Sequence, residues 1–249
     1  MGASARIIGR AAAALTLLAL ALTPDATLGT ARASAAQPAE RAPDTMAARV
    51  LACAACHGDH GQGTKDDYFP RLAGKPADYL YNQLVAFRDG RRRYAPMNYL
   101  LEYLPDSYLR EMSQFFAGEH PPYPTPEPPS ASKHVLARGQ ALVTNGDPAH
   151  QIPACANCHG PNFTGMEPAI PGLVGLHANY ISAQLGAWRY GTRTALAPDC
   201  MQIVAGHLTE ADVTAIAAYL SSLPAPADPT PVSYGSLSMP LECGSETLK

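Results

Sequence analysis

Apolar residues recur with a helical period in two matching parts of the chain. In each part they lie at positions i, i+4 and i+7, a spacing that places side chains on one face of an α-helix. The residues are Leu80, Leu84 and Phe87 in the first part and Ile181, Leu185 and Trp188 in the second. A constant offset of 101 residues relates the two sets, so the pattern predicts an internal repeat of helical units.

Further helices are predicted at both ends of each repeat. In the second repeat, a final helix begins at the N-cap residue Thr209, with Asp212 at position N3. In the first repeat, Pro105 is compatible with a helix start and an apolar stripe follows it. An earlier helix is expected at residues 46–51 and its counterpart at residues 135–143. Together these elements predict an all-α fold.

Proline-rich segments divide the chain. Many of its 24 prolines lie between residues 119 and 132, where they favour an extended polyproline conformation. We therefore expect a semi-rigid linker at 119–132, between a first domain at 36–118 and a second domain at 133–223. The segment 224–249 is again rich in proline and is predicted to be a C-terminal tail wrapped on the surface.

The N-terminal segment has the features of an export signal. Arg6 and Arg10 precede an apolar run of about a dozen residues, which is shorter than the ~20 residues of a membrane-spanning helix. The small residues 33–35 then fit a cleavage site. We therefore predict a signal peptide at 1–35 and a periplasmic mature protein. The formal net charge of −3 gives no indication of a nucleic-acid-binding surface.

Four of the six cysteines belong to two copies of a C-x-x-C-H motif. The motif residues are Cys53, Cys56 and His57 in the first copy and Cys155, Cys158 and His159 in the second. Two thiols at this spacing form thioether bonds to the vinyl groups of haem, and the adjacent histidine binds the iron. A structural zinc site is the main alternative, but it would need a second half-site nearby. The motifs therefore predict two covalently bound haem c groups, each with its motif histidine as an iron ligand.

Two methionines lie at matching distances from the motifs. Met97 lies 40 residues after His57, and Met201 lies 42 residues after His159. Each precedes the final helix of its repeat by the same number of residues. Methionine commonly closes the second face of haem iron in electron carriers and favours the ferrous state. We therefore predict Met97 and Met201 as the sixth iron ligands.

A basic run lies just before the first of these methionines, at Arg88, Arg91, Arg92 and Arg93. It either neutralises haem propionates, docks an acidic partner or forms a solvated loop. Comparison of the repeats aligns only Arg88 with an arginine of the second repeat, Arg189.

The remaining two cysteines, Cys200 and Cys243, allow two interpretations. A disulfide between them would attach the tail to the second repeat, as expected for spare cysteines in an exported chain. Alternatively, the Cys200 thiolate, next to Met201 in sequence, binds the second iron and produces a catalytic haem of low potential.

With both motifs, the repeat and both methionines in place, the chain resembles the dihaem cytochrome c4 family of class I cytochromes c. The resemblance covers about residues 45–223. It implies two tandem cytochrome c-type haem domains, histidine and methionine ligation of both irons, and a periplasmic shuttle that passes electrons towards terminal oxidases. The proline-rich linker, the tail and the Cys200/Cys243 pair depart from what we expect of that family.

Three functions remain open from the sequence. The first is an electron carrier, either diffusible or peripherally bound to the membrane, that connects a quinol–cytochrome c reductase or a dehydrogenase to an oxidase. The second is the cytochrome subunit of a dehydrogenase complex. The third is a dihaem enzyme, such as a thiosulfate dehydrogenase or a peroxidase, which needs an open or unusual axial site. Haems with both axial positions filled by the protein favour a carrier over an enzyme.

Overall fold

The computed structural model describes residues 44–126 and 128–246. The predicted signal peptide at 1–35 lies outside these described residues. The described residues belong to one compact unit, so both repeats lie in the same body. In the described part of the chain, no helix combines the length and the hydropathy that a membrane crossing requires.

Among the described residues, the first repeat contains five helices. They are α1 (Met46–Arg49), α2 (Leu51–His57), α3 (Ala77–Arg88), α4 (Ala95–Leu101) and α5 (Asp106–Ala117). Helices α3 and α5 pack against each other because each turns an apolar stripe inward. Leu80 and Phe87 of α3 share one buried core with Leu109 and Phe116 of α5.

The second repeat follows the same plan with a small addition. Its helices are α6 (Lys133–Asn145), α7 (Ala156–His159), α8 (Ala178–Arg189), α9 (Cys200–His207) and α10 (Glu210–Ser221), with a 3-10 turn at Pro148–His150. Two short antiparallel strands, β1 (Gly165–Met166) and β2 (Ile170–Pro171), form a small sheet. The predicted helical fold of two tandem repeats is therefore confirmed, with this sheet as the difference. The predicted domain boundaries stay predictions.

Helix α6 approaches α10 very closely. Gly139 of α6 lies against the backbone carbonyl of Ala215 on α10, where a Cβ atom would overlap the oxygen. The contact therefore requires glycine, although glycine is a poor helix former. Leu142 and Val143 of α6 are fully buried in the core of the second repeat.

The capping box predicted at the start of α10 is present. The Asp212 amide donates to Thr209 Oγ1 at 3.1 Å, and the Asp212 carboxylate accepts from the Thr209 amide at 3.1 Å. Arg138 of α6 also contacts this carboxylate, at 2.8 Å. Although burial opposes it, hydrogen bonds from Thr209 and Arg138 hold the pKa of Asp212 below its usual range. The cap therefore joins α10 to α6.

The proline-rich linker is packed against both repeats. Arg71 of the first repeat donates to the Pro122 carbonyl at 3.1 Å and to the Pro121 carbonyl at 2.6 Å. Its guanidinium also lies 3.9 Å from the ring centroid of Tyr123. Tyr123 in turn packs on the core of the second repeat, so close to Gly175 that a Cβ there would lie 2.7 Å from the ring. The first part of the linker, at residues 121–123, is thus attached to both repeats and is not a free tether.

Backbone hydrogen bonds and a disulfide attach the C-terminal tail to the second repeat. Val232 donates to the Gly165 carbonyl of β1 at 2.9 Å and accepts from the Glu167 amide at 2.9 Å. Farther along the tail, Cys243 forms a disulfide with Cys200 at the start of α9. Of the two interpretations that the sequence allowed, the structure therefore contains the disulfide, and the Cys200 sulfur is not available as a thiolate.

Candidate haem-binding and electron-transfer site

The motif cysteines lie on short helices and carry free thiols. Cys53 and Cys56 lie on α2, whereas Cys155 caps α7 and Cys158 lies within it. Burial raises the pKa of Cys53, and it raises that of Cys155 to about 12. Each C-x-x-C pair therefore presents two thiols about one turn apart, as attachment to the two haem vinyl groups requires.

Each motif histidine ends its helix in a buried and oriented position. Nδ1 of His57 donates to the Pro70 carbonyl at 2.9 Å, and Nδ1 of His159 donates to the Pro171 carbonyl at 2.8 Å. Because a carbonyl only accepts, Nδ1 carries the proton and Nε2 is left as a free electron-pair donor. Burial also lowers the pKa of both histidines, which favours the neutral imidazole that binds iron.

The glycines after the motifs have a backbone conformation that favours glycine. Gly58 has φ +80° and Gly160 has φ +82°, and each ends its helix directly after the histidine. Residues with side chains rarely adopt such angles. The chain therefore turns sharply away directly after the histidine that is expected to bind the iron.

The two methionines lie on short helices that the sequence did not predict. Met97 is the third residue of α4 and Met201 is the second residue of α9. Both are partly buried against the core of their repeat, Met97 with Cys53 in one cluster and Met201 with Cys155 in the other. The structure thus brings each methionine to the same core as a motif cysteine, in equivalent positions of the repeat.

One conclusion about the basic run was wrong. Arg92 does have a counterpart in the second repeat, Arg193, at the same offset of 101 residues. The two residues form an isolated antiparallel bridge and are 8% and 4% exposed. The repeat therefore continues past Gly90 and Gly191 into the loop that follows each helix.

The arginines form a symmetrical network between the repeats. Arg92 donates to Gln83 at 3.0 Å and to Gln184 at 2.7 Å, and Arg193 donates to Gln184 at 2.8 Å and to Gln83 at 2.7 Å. Arg92 also donates to the Tyr180 hydroxyl at 2.8 Å. Because these residues are repeat equivalents, the network has an approximate two-fold symmetry.

This network carries positive charge without a matching negative charge. Within the described residues, neither Arg92 nor Arg193 forms an ion pair with a carboxylate. Burial lowers the pKa of Arg193 to about 10, and the nearby cations lower the pKa of Tyr79 against the effect of burial. Two buried guanidiniums with only neutral partners are unfavourable unless an anion is present.

Haem fits this environment. Each haem carries two propionates, which would supply the missing negative charge. The Arg193 guanidinium lies 3.7 Å from the ring centroid of Trp188. The Nε1 donor of this tryptophan is buried and makes no hydrogen bond within the described residues. In the first repeat, the Arg92 guanidinium lies 4.4 Å from the ring centroid of Phe87, which is the repeat equivalent of that tryptophan. An unpaired buried donor beside two uncompensated cations is consistent with a site for anionic groups.

The family comparison matches both repeats. The model of the Cytochrome c family matches residues 45–111 and 136–224. Cytochrome c4 of Pseudomonas aeruginosa is 35% identical over 178 residues, which is 71% of this chain and 86% of that protein. The thiosulfate dehydrogenase electron acceptor of Thiomonas intermedia is 37% identical over 176 residues, or 70% of this chain and 80% of that protein.

A solved structure shows the same architecture. Reduced recombinant cytochrome c4 from Pseudomonas stutzeri superposes with a TM-score of 0.63 at 30% identity, covering 72% of this chain and 96% of the other. On these matches and on the paired motifs of the two repeats, this chain belongs to the dihaem cytochrome c4 family and carries two covalently attached haem c groups.

Proposed function

We propose that this dihaem electron-transfer cytochrome is a periplasmic carrier that accepts electrons from a dehydrogenase and delivers them to a terminal oxidase or another acceptor. A dehydrogenase that oxidises thiosulfate is the first candidate donor, because one relative is an electron acceptor of that enzyme. Haem c supplies a reversible one-electron couple when bound. The two repeats therefore accept up to two electrons per chain.

The proposed roles of the site residues follow the repeat. The cysteine pairs form the thioether bonds, and His57 and His159 bind iron through Nε2. Met97 and Met201 provide the opposite ligand. Arg92 and Arg193 neutralise propionates at the junction of the repeats, which supports close placement of the two electron-transfer sites.

The disulfide of Cys200 is the observation that favours a carrier over an enzyme. The alternative enzymatic function depends on a thiolate next to Met201, and the structure has that sulfur bonded to Cys243. With a thioether rather than a thiolate beside the second iron, no unusual ligand distinguishes the second repeat from the first. Both repeats then have the saturated ligation that suits electron transfer.

Exposed side chains around α4 support a second candidate function, the cytochrome subunit of a dehydrogenase complex. Tyr99, Leu100 and Tyr103 follow Met97 and are 79%, 50% and 85% exposed. Aromatic residues in such positions are enriched in protein–protein interfaces. The corresponding part of α9 differs, because Ile203 and His207 there line a cleft together with the tail.

Spectroscopy of the holoprotein tests the ligand assignment. The ferric protein should show the weak long-wavelength charge-transfer band of methionine-ligated haem, with an intensity that fits two haems per chain. Met97→Ala and Met201→Ala should each remove about half of this band, and Met112→Leu, in the core of the first repeat, should leave it unchanged. Retention of the full band in either ligand variant would overturn the assignment.

An electron-transfer assay tests the carrier function. The ferric protein is mixed with thiosulfate, with or without a thiosulfate dehydrogenase. Oxidation of two thiosulfate ions to tetrathionate releases two electrons, which reduce the two haems. We expect reduction only when the dehydrogenase is present. Reduction by thiosulfate alone would show that the chain is itself an enzyme, and no reduction in either mixture would exclude this donor.

A further inference from the structure

Lys75 is a buried lysine that reaches from the first repeat into the second. It is 8% exposed, and its Nζ donates to the backbone carbonyl of Gly172 at 2.7 Å. No carboxylate within the described residues forms an ion pair with it. Burial lowers the pKa of this ammonium to about 8, so it is predominantly charged at neutral pH. An unpaired buried cation is unfavourable and calls for a physical explanation.

The position of this ammonium links it to the second iron site. Gly172 directly follows Pro171, whose carbonyl accepts the Nδ1 proton of His159 at 2.8 Å. The charge of Lys75 is close enough to contribute, after burial, to lowering the pKa of that imidazole. It therefore lies beside the hydrogen bond that orients the proposed iron ligand.

The second repeat has no equivalent lysine that could reach back to the first iron site. At the offset of 101 residues, the counterpart of Lys75 is Leu176, which is buried in the core of the second repeat. The counterpart of Gly172 is Arg71, whose guanidinium is engaged by the linker. The lysine is thus a charge that breaks the approximate symmetry of the two repeats.

We propose that Lys75 is a positioning residue of the second haem. Its positive charge acts on the Gly172 carbonyl, next to the Pro171 peptide that holds His159, and raises the reduction potential of that haem alone. The physical reason is electrostatic. Ferric haem carries one more positive charge than ferrous haem, so a nearby fixed cation destabilises the oxidised form. The cation also withdraws electron density from the neighbouring Pro171 carbonyl, which then accepts the Nδ1 proton of His159 less strongly. His159 is consequently a weaker electron-pair donor to ferric iron. The inference rests on the proposed ligation of the second iron by His159.

The test is a redox titration of the holoprotein and of three variants, followed by visible absorption. Lys75→Met removes the charge and keeps the length of the side chain. Lys75→Gln removes the charge and keeps a hydrogen-bond donor, whereas Lys75→Arg keeps the charge. The first haem in each molecule is the internal control. Placing Met201→His in the same backgrounds moves the second haem to low potential and so identifies its component of the titration.

We expect Lys75→Met and Lys75→Gln to lower only the midpoint potential of the second haem, by ~59 mV. For one electron this shift corresponds to a tenfold change in the ferric-to-ferrous ratio. Lys75→Arg should retain most of the native potential. Unchanged potentials in the Met and Gln variants would overturn the proposal, as would equal shifts of both haems or an Arg variant that behaves like Met.

A haem count by pyridine haemochrome and thermal unfolding accompany each titration. Fewer than two haems in the native protein would instead overturn the proposed function. If Lys75→Met loses haem or unfolds, the comparison of Lys75→Gln with Lys75→Arg decides the question, because both keep a polar donor at Gly172.

Discussion

Arg92 and Arg193 face each other across the junction of the two repeats, and each guanidinium donates to the glutamine of its own repeat and to that of the other. Each glutamine oxygen consequently accepts from both arginines. This exchange couples the two halves more directly than apolar packing would, because loss of any one member removes hydrogen bonds from buried polar groups of both halves.

Replacement of Arg92 should affect both haems. We expect Arg92→Gln to lower both midpoint potentials, by roughly 30–60 mV, about a three- to tenfold change in the ferric-to-ferrous ratio, because a shared buried cation is lost. Redox titration measures this. Arg93→Gln is the matched control, since Arg93 belongs to the same run but is exposed. An equal shift in the control would show that the effect is one of overall charge.

Removal of the disulfide should weaken the folded state without changing the haem ligands. The pair Cys200→Ser and Cys243→Ser opens a loop that spans 43 residues. We expect a loss of about 2–4 kcal/mol in the free energy of unfolding, since the unfolded chain gains freedom. Denaturant titration measures the loss. The methionine charge-transfer band should remain, and its disappearance would indicate that the disulfide holds Met201 in place.

The capping box of α10 should contribute measurable stability. Thr209→Ala removes the hydroxyl that accepts from the Asp212 amide, and we expect about 1 kcal/mol of destabilisation, within a range of 0.5–2. Thr214→Ala makes the same chemical change in the exposed part of the same helix, where the hydroxyl bonds only to the Glu210 carbonyl. Chemical denaturation should show little effect there. Equal losses in the two variants would contradict a capping role.

The tail should introduce a pH dependence through Glu246. Burial, with the nearby Glu167 and Asp78 carboxylates, raises the pKa of this group to about 7 against an ordinary value of 4.5. The folded protein therefore binds this proton more tightly than the unfolded chain, and stability falls as the pH rises from about 4.5 to 7.

Thermal unfolding across this pH range provides the measurement. Glu246→Gln should match the native protein near pH 4 and exceed it in stability above pH 7, because the substitution removes the buried charge. Glu242→Gln, an exposed acid in the same tail, should follow the native curve. A constant difference between Glu246→Gln and the native protein at all pH values would contradict the titration of Glu246.

Local patterns in the sequence were sufficient to predict much of the fold. The stripes of α3 and α8 have a clear helical period, and the cap of α10 has an unambiguous polar signature. Helices α4 and α9 were missed because each is short and has a proline within or just before its first turn, so neither displays enough turns to reveal a period. The motif residues were predicted because thioether attachment and iron ligation require neighbouring positions in sequence.

Features that depend on distant parts of the chain could not be predicted in the same way. The pairing of Arg92 with Arg193 exists only because the two repeats face each other, and no short stretch of sequence encodes that arrangement. Similarly, sequence distance does not decide whether Cys200 meets Cys243 or an iron atom. The role of Lys75 could not be predicted either, since only its burial against the second repeat distinguishes it from an ordinary surface lysine. Its alignment with a leucine was the one available signal.

The attachment of the linker by Arg71 and Tyr123 also bears on kinetics. Because the linker is bound to both repeats, each redox centre keeps the other one beside it in the same molecule. Electron transfer between the two centres is therefore unimolecular. Its rate constant should therefore be independent of protein concentration and only weakly sensitive to ionic strength. Encounters with external donors and acceptors, in contrast, remain bimolecular and subject to screening by salt.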